Sequence, residues 1–360
     1  MAVFNETVVS DARPVRVGLI GHGYAGATFH VPLIMSCAGM QLVRIATSAP
    51  EKVALPGVDT IAAASELINA ADIDLVVIAS TNTTHYDLAR QALLAGKHVV
   101  VEKPFTVTAA EGDELVQLAD RLGLVLSVFH NRRWDSDFLT VKHCIDAGLL
   151  GEVHTYHAHF NRFRPLVRQR WREQDFPGSG ALYDLGSHLI DQALVLFGLP
   201  QAIRANVANQ RGGEQAPDYF HLLLDYGIRK VVLTSSALVR QPGPRFQVHG
   251  TLGSFIKSGI DSQEDALKQG RRPGSAGWGE EQPVSDGRLL TQRNGLPIKA
   301  SVPGIPGDYL AYYQGVRDAI RGAGPVPVPG RDGLNVIRVI ECAMRSHREQ
   351  RGIPFAPEAG

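Results

Sequence analysis

Residues 15–26 read VRVGLIGHGYAG, a short apolar run that opens directly on G-x-G-x-x-G and leads into a helix-like stretch. No other feature constrains the fold as tightly. Between a strand and a helix, Gly21 permits the tight turn, Gly23 lets a pyrophosphate approach the backbone, and Gly26 lets helix and strand pack closely. The helix N-terminus adds free N–H groups and a positive dipole end. The pattern alone is weak, because a glycine turn can be purely structural; its weight comes from the segments downstream of it. QLVRIATS, LVVIAS (75–80), HVVVEKP (98–104) and LVLSVFH (124–130) are further apolar runs. Between them lie helical patterns, one carrying Leu88, Ala92 and Leu93, another Leu115, Leu118 and Leu122. Continuous apolar strands alternating with helices require a parallel sheet covered on both faces. Residues 1–130 are therefore expected to form an α/β, doubly wound dinucleotide-binding domain, with His22, Tyr24 and Ala25 joining the three glycines at the phosphates.

At 360 residues the chain exceeds the roughly 250–300 that one core serves, so a second domain is expected over 131–360. Its strand-like runs GEVHTYHAHF, AIRANVANQ, DYFHLLLDY, RKVVLTSSALV and PRFQVHGTLGSFIKSG have few helices between them. That implies an α+β domain with a large, mostly antiparallel open sheet. Residues 261–307, rich in Gly, Pro and charge, read as a long excursion or loop, and two terminal helices follow. A sheet with helices for only one face must hide the other, which points to a homodimer or a dimer of dimers. The 36 acids balance the 36 bases, giving no argument for nucleic acid or an acidic membrane as partner. No apolar run approaches the ~18 residues of a spanning helix, and MAVFNETVVSDARP lacks the features of a signal peptide. Cys37, Cys144 and Cys342 are few and far apart, which fits a reducing compartment, the cytoplasm by default, and neither a zinc site nor a disulfide framework.

The candidate site residues fall at strand ends and on one helix. About 20 residues past the glycines, where an acid would bond the ribose of NAD, stand Thr47 and Ser48, with Lys52 nearby. No carboxylate repels a 2′-phosphate there, so NADP is favoured over NAD; the plainer alternative is a hydroxyl-lined loop that accepts either. Ser80, Thr81 and Asn82 follow a strand at its carboxyl end, and His85 begins the next helix; cofactor contact and helix capping both suit them. In EKPF, Glu102 and Lys103 end an apolar strand. Lysine is almost never fully buried unpaired, and a residue before proline is extended, so Lys103 is a satisfied edge residue or a catalytic group. In YDLGSH, Asp184 and His188 are four apart and share a helix face. A carboxylate beside an imidazole fixes the ring and raises its basicity, although an ordinary ion pair or cap has the same spacing and Asp191 is an alternative partner. In NRFRPLVRQRWRE, Arg162, Arg164 and Arg168 either belong to a solvated loop, line a substrate pocket or meet a 2′-phosphate. Arg132 and Tyr183 are further candidates for substrate contact. His157 and His159 alternate along a strand without a third ligand, so no metal is expected.

Taken together, GHGYAG, EKPF, WRE and GSGALYDLGSHLIDQALVLFG resemble the Gfo/Idh/MocA oxidoreductases over nearly the whole chain. FHNRRWDSDFLT, RPLVRQRWRE and DYFHLLLDY are similar to the branch containing NADP-dependent scyllo-inositol dehydrogenase. The resemblance implies an N-terminal Rossmann domain and a C-terminal open-sheet domain, with Lys103, Asp184 and His188 catalytic and Trp171 and Arg172 bordering the cofactor. It implies an NAD(P)-dependent enzyme that interconverts a secondary alcohol and a ketone on a cyclic polyol, inositol or sugar. In that reading Lys103 stabilises charge on oxygen, His188 moves the hydroxyl proton and Asp184 orients His188. An NAD-dependent glycosidase that retains its cofactor and a non-catalytic dinucleotide sensor are the rivals, and a sensor needs no acid–base residues.

Overall fold

A computed structural model of the chain describes residues 13–168, 173–213 and 215–355. The first half builds a parallel sheet from β1 (Val15–Ile20), β2 (Met40–Ala46), β3 (Asp59–Ile61), β4 (Leu75–Ile78), β5 (His98–Val101) and β6 (Leu126–Val128). The strand order is β3-β2-β1-β4-β5-β6. Helices α1 (Val31–Ser36), α2 (Ala64–Asn69), α3 (His85–Leu94) and α4 (Ala109–Leu122) connect the strands. Every residue of β4 is buried, as the unbroken apolar run LVVI demands of a central strand. The α4 N-terminus is set by a capping box in which the Thr108 side chain accepts from the Glu111 N–H and Glu111 reciprocates; Gly123, at φ 64°, ends the helix. Strand order reverses between β1 and β4, which places a crevice outside their carboxyl ends, where open α/β sheets bind ligands.

The second half builds a nine-stranded sheet. Its strands are β7 (Val153–His159), β8 (Ala202–Ala208), β9 (Tyr219–Tyr226), β10 (Arg229–Ser236), β11 (Phe246–Gly250), β12 (Ser254–Lys257), β13 (Gly287–Arg293), β14 (Leu296–Val302) and β15 (Ile353–Pro354). Their order is β14-β13-β12-β11-β7-β10-β9-β8-β15, antiparallel except where β7 meets β10. Helices α5 (Ser136–Asp146), α6 (Ser187–Phe197), α7 (Gln263–Lys268), α8 (Leu310–Ile320) and α9 (Gly330–Glu349) complete it.

The expected excursion over 261–307 is corrected: it contains α7 and the β13–β14 hairpin, which widens the sheet. The composition misled because β14 is an edge strand whose Leu296–Lys299 stretch is exposed, so no buried periodicity marks it. The Asn294–Gly295 turn, with φ of 52° and 77°, was the available signal, since Asn-Gly suits the left-handed pair of a two-residue hairpin.

The last two helices pack back onto the first sheet. Helix α8 rests on α1, and α9 lies against α4 and β6 on one side and β8 on the other. The Val328 carbonyl accepts from Val128 N–H at 3.0 Å and from the Ser127 hydroxyl at 2.9 Å. Among the described residues no helix is long and apolar enough to cross a membrane.

Candidate active site

The glycine loop sits where β1 ends at the switch point. Gly21 has φ +97°, and a Cβ there would come within 2.6 Å of the Ala79 carbonyl oxygen at the end of β4. A Cβ on Gly26 would lie 2.2 Å from the Gly21 oxygen, so the loop closes on the start of the helix only without a side chain. At Gly23 an added Cβ meets nothing within 4 Å. The second glycine therefore faces open space beside two crowded ones, the cradle into which a dinucleotide pyrophosphate fits. His22 is half-buried, and Gly26–His30 form a π-helical turn that runs into α1. At the end of β2, Thr47 is half-buried and Ser48 exposed; the Thr47 hydroxyl accepts from Ala49 N–H at 3.2 Å, and Glu51 is the nearest following acid in sequence.

After β4, Thr81 is exposed, and Ser80 pairs with Thr84 through their hydroxyls at 2.6 Å. Asn82 is buried and donates across to the Gly178 carbonyl at 2.8 Å. His85 is buried too, and its Nδ1–H donates to the Pro104 carbonyl at 2.9 Å. The ring thus buttresses the turn that follows Lys103, whose peptide bond to Pro104 is cis, and it stands apart from the residues that line the main cleft.

That cleft, ≈740 Å³ in volume, lies between the carboxyl edge of the first sheet and the second sheet. Tyr24, Ala25, Glu102 and Lys103 line it from the first side, and Asp184 and His188 from the second. The Lys103 ammonium donates to the Asp184 carboxylate at 2.9 Å and to the Asp184 carbonyl at 2.8 Å. Asp184 belongs to a second π-helical turn, Leu182–Gly186, that runs directly into α6, where His188 stands. The two share the cleft as their spacing implies, but the hydrogen bonding departs from expectation. His188 makes no hydrogen bond among the described residues, and its Nδ1 is buried without a partner. Packing orients the ring instead: its centroid lies 6.2 Å from that of Phe160 and 6.5 Å from that of His130. The expected rise in basicity is also reversed. Burial first, and then the charges of Lys103 and Arg132, hold His188 well below the ordinary histidine value.

Asp191, the alternative partner, is taken by Arg133 at 2.6 Å. Tyr183 does not line the cleft; its hydroxyl donates to the Val107 carbonyl at 3.2 Å, and burial pushes it up to about 12. Arg132 lines the cleft but is pinned by Asp135 at 3.1 Å and Glu264 at 2.8 Å. Arg162, Arg164 and Arg168 all line it, the first two half-buried and the third exposed. Trp171 and Arg172 lie outside the described residues.

Sequence reasoning missed several groups. His30 bridges Glu102, at 3.0 Å, and the Tyr313 hydroxyl, at 2.6 Å, holding the glutamate whose other oxygen accepts from Lys103 N–H. Glu264 accepts from the Tyr24 hydroxyl at 2.6 Å, tying the glycine loop to α7. His130 is buried beside His188 with neither ring nitrogen bonded among the described residues. Its place at the end of β6 was the available signal, because strand carboxyl ends carry ligand sites. No group of three or more metal-ligating side chains is assembled among the described residues.

The geometry has counterparts in known proteins. Residues 15–130 match the NAD-binding Rossmann-fold model of the GFO_IDH_MocA oxidoreductases, and residues 142–355 match that family's C-terminal alpha/beta domain. The chain is 45% identical to a scyllo-inositol 2-dehydrogenase (NADP+) of Bacillus subtilis, over 94% of this chain and 95% of that one. It is 47% identical to an uncharacterized oxidoreductase of Escherichia coli, over 95% and 99% of the two chains. The solved structure of a Bacillus subtilis oxidoreductase matches with a TM-score of 0.93 at 44% identity, covering 96% of this chain and 99% of that one.

Proposed function

The chain belongs to the Gfo/Idh/MocA oxidoreductase family, and from that premise we propose that it interconverts a secondary alcohol and a ketone on a cyclic polyol, inositol or sugar, with NADP preferred to NAD. Residues 15–130 are an NAD-binding Rossmann domain. The observation that carries the reading is the convergence of Lys103, Asp184 and His188 on one cleft at the carboxyl edge of that domain's sheet. Gly21, Gly23 and Gly26 would hold the pyrophosphate, and Thr47 and Ser48 the adenosine ribose end. When bound, the nicotinamide supplies the acceptor or donor of hydride. Asp184 anchors the Lys103 ammonium, which stabilises charge developing on the substrate oxygen. His188, kept neutral by burial, takes the hydroxyl proton in oxidation and returns it in reduction. Asp184 thus acts on Lys103 and not on His188.

The NADP preference is supported by the hydroxyls that replace an acid after β2 and by the cofactor named for the Bacillus relative. A panel of inositols, aldoses and their keto forms with both cofactors, followed by nicotinamide absorbance, tests activity and preference together. Absence of any nicotinamide turnover overturns the reading, and a tenfold preference for NAD overturns the cofactor choice. Ser48→Asp should move preference towards NAD by like-charge repulsion of the 2′-phosphate. We read the enzyme as cytoplasmic, in keeping with three free cysteines, and as a homodimer or dimer of dimers joined through the second sheet. Sedimentation of a dilute sample as a stable monomer contradicts that assembly.

A further inference from the structure

Among the described residues, three guanidiniums that line the cleft have no counterion: Arg168, which is exposed, and Arg162 and Arg164, which are half-buried. Residues 160–164 prolong β7 along the end of β10: Phe160 N–H donates to the Thr234 carbonyl, Arg162 N–H to Ser236 and Arg164 N–H to Ala237. Extended backbone sends alternate side chains to one side. Phe160, Arg162 and Arg164 therefore share a side, while Phe163 takes the other, exposed beneath Arg240. Both Arg162 and Arg164 line the cleft that holds Lys103, Asp184 and His188. Neither guanidinium has a hydrogen-bond or ion-pair partner among the described residues. Burial lowers the Arg162 guanidinium from its ordinary value, with Asp184 opposing and Arg164 and Arg132 reinforcing the shift.

The carboxylates of the cleft are committed elsewhere. Glu173 and Asp218 serve Arg211 at 3.0 and 2.7 Å. Glu264 serves Arg132 and Lys268, Glu102 accepts from the Lys103 N–H and pairs with His30, and Asp184 takes the Lys103 ammonium. The charge left over beside the acid–base residues is therefore positive. Two like charges on adjacent same-side positions, half out of water, repel each other unless a ligand anion joins them. A neutral ring gives no such compensation. The cofactor's 2′-phosphate is poorly placed to do so, because Thr47 and Ser48 form no part of this cleft.

We propose that Arg162 and Arg164 form a subsite for an acidic substituent, so that the substrate is a polyol or sugar bearing a carboxylate or a phosphate ester. The proposal rests on the dehydrogenase reading above and narrows its substrate class. Planar guanidinium forks match both anions through paired charge-assisted hydrogen bonds.

The test is calorimetric titration of the full chain loaded with NADP, using D-glucose, D-glucuronate, D-glucose 6-phosphate, myo-inositol and myo-inositol 1-phosphate. At least one acid should bind on the order of tenfold to a hundredfold tighter than its neutral counterpart, the range a hydrogen-bonded charge supplies. The advantage should shrink in high salt and disappear in Arg162→Gln and Arg164→Gln, whose NADPH affinity should match that of the wild type. Glucuronate against the phosphates separates carboxylate from phosphate recognition. Equal binding of acids and neutral rings, or an acid advantage that survives both substitutions, overturns the subsite. A parallel loss of NADPH affinity also overturns it, because the arginines would then hold the cofactor. Turnover of the same panel is scored separately. An acid that binds with no oxidation or reduction of any ring counts against the dehydrogenase reading and leaves the subsite standing; a neutral ring turned over without acid binding does the reverse.

Discussion

At the scale of single residues, the proposed reaction rests on one lysine amine and one imidazole that line the same cleft. The Lys103 side chain donates to the Asp184 carboxylate at 2.9 Å, while burial and the neighbouring cations hold His188 well below the ordinary histidine value. Lys103→Met and His188→Ala should each lower kcat by ~10²–10⁴, the usual contribution of a positioned acid–base group, while NADPH still binds through the glycine loop. Asp184→Asn should be severely impaired as well, through a misplaced Lys103. Fluorescence titration of NADPH beside steady-state rates checks all three, and near-normal turnover in His188→Ala would refute the role given to it. The sign of the electrostatic coupling is testable on its own. Removing the Lys103 charge removes part of the penalty on an imidazolium, so the His188 midpoint should rise towards ~6.5 in Lys103→Met. An NMR titration of the histidine ring protons reads this directly, and an unchanged or lower midpoint contradicts it. Both motifs were legible from spacing, because a helix face and a strand end are one-dimensional facts. The partners were not. Spacing places Asp184 and His188 on one face, but whether the carboxylate meets His188 or Lys103 depends on how two distant elements dock.

At the scale of elements, the strand–loop–helix unit of β1 was fully legible, since three glycines, an apolar run and a helical stretch agree. The β13–β14 hairpin was not, because an exposed edge strand has no core-facing period, and its only mark was the Asn294–Gly295 turn. The glycines of the loop differ in a way that a pair of substitutions separates. Gly23→Ala adds a methyl in open space, so the free protein should melt like the wild type, yet the methyl occupies the approach to the backbone and should weaken NADPH binding. Gly26→Ala drives a Cβ to 2.2 Å from the Gly21 carbonyl, and the loop or helix must shift. It should destabilise the free protein by about 1–3 kcal/mol, the range of overpacked sites. Thermal melts with and without NADPH distinguish the two. A Gly23→Ala protein that binds NADPH as tightly as the wild type would remove the loop from the phosphate site.

At the scale of the whole molecule, the packing runs across the expected division near residue 130. Helix α9 begins by packing on the first sheet and ends alongside β8 of the second. A Cβ on Gly330 would meet Leu126 at 2.9 Å, and one on Gly333 would meet Val128 at 2.5 Å and Phe105 at 3.1 Å. The side chains it presses on belong to β6 and to the turn after Lys103, all within the first 130 residues. Residues 1–130 alone would leave Phe105, Val116, Leu126 and Val128 without that cover, so the two halves should unfold together. Gly333→Ala probes the joint. A helix-interior alanine gains up to ~1 kcal/mol over glycine, whereas the clash costs about 1–3 kcal/mol, so the variant should be less stable on balance. Pulse-labelling hydrogen exchange along a urea titration follows peptides from β4 and β9 separately. Both should lose protection at one midpoint in the wild type and at one lower midpoint in Gly333→Ala. Two midpoints in the wild type, or a shift confined to one sheet, would mean that the halves are independent and that α9 belongs to only one of them.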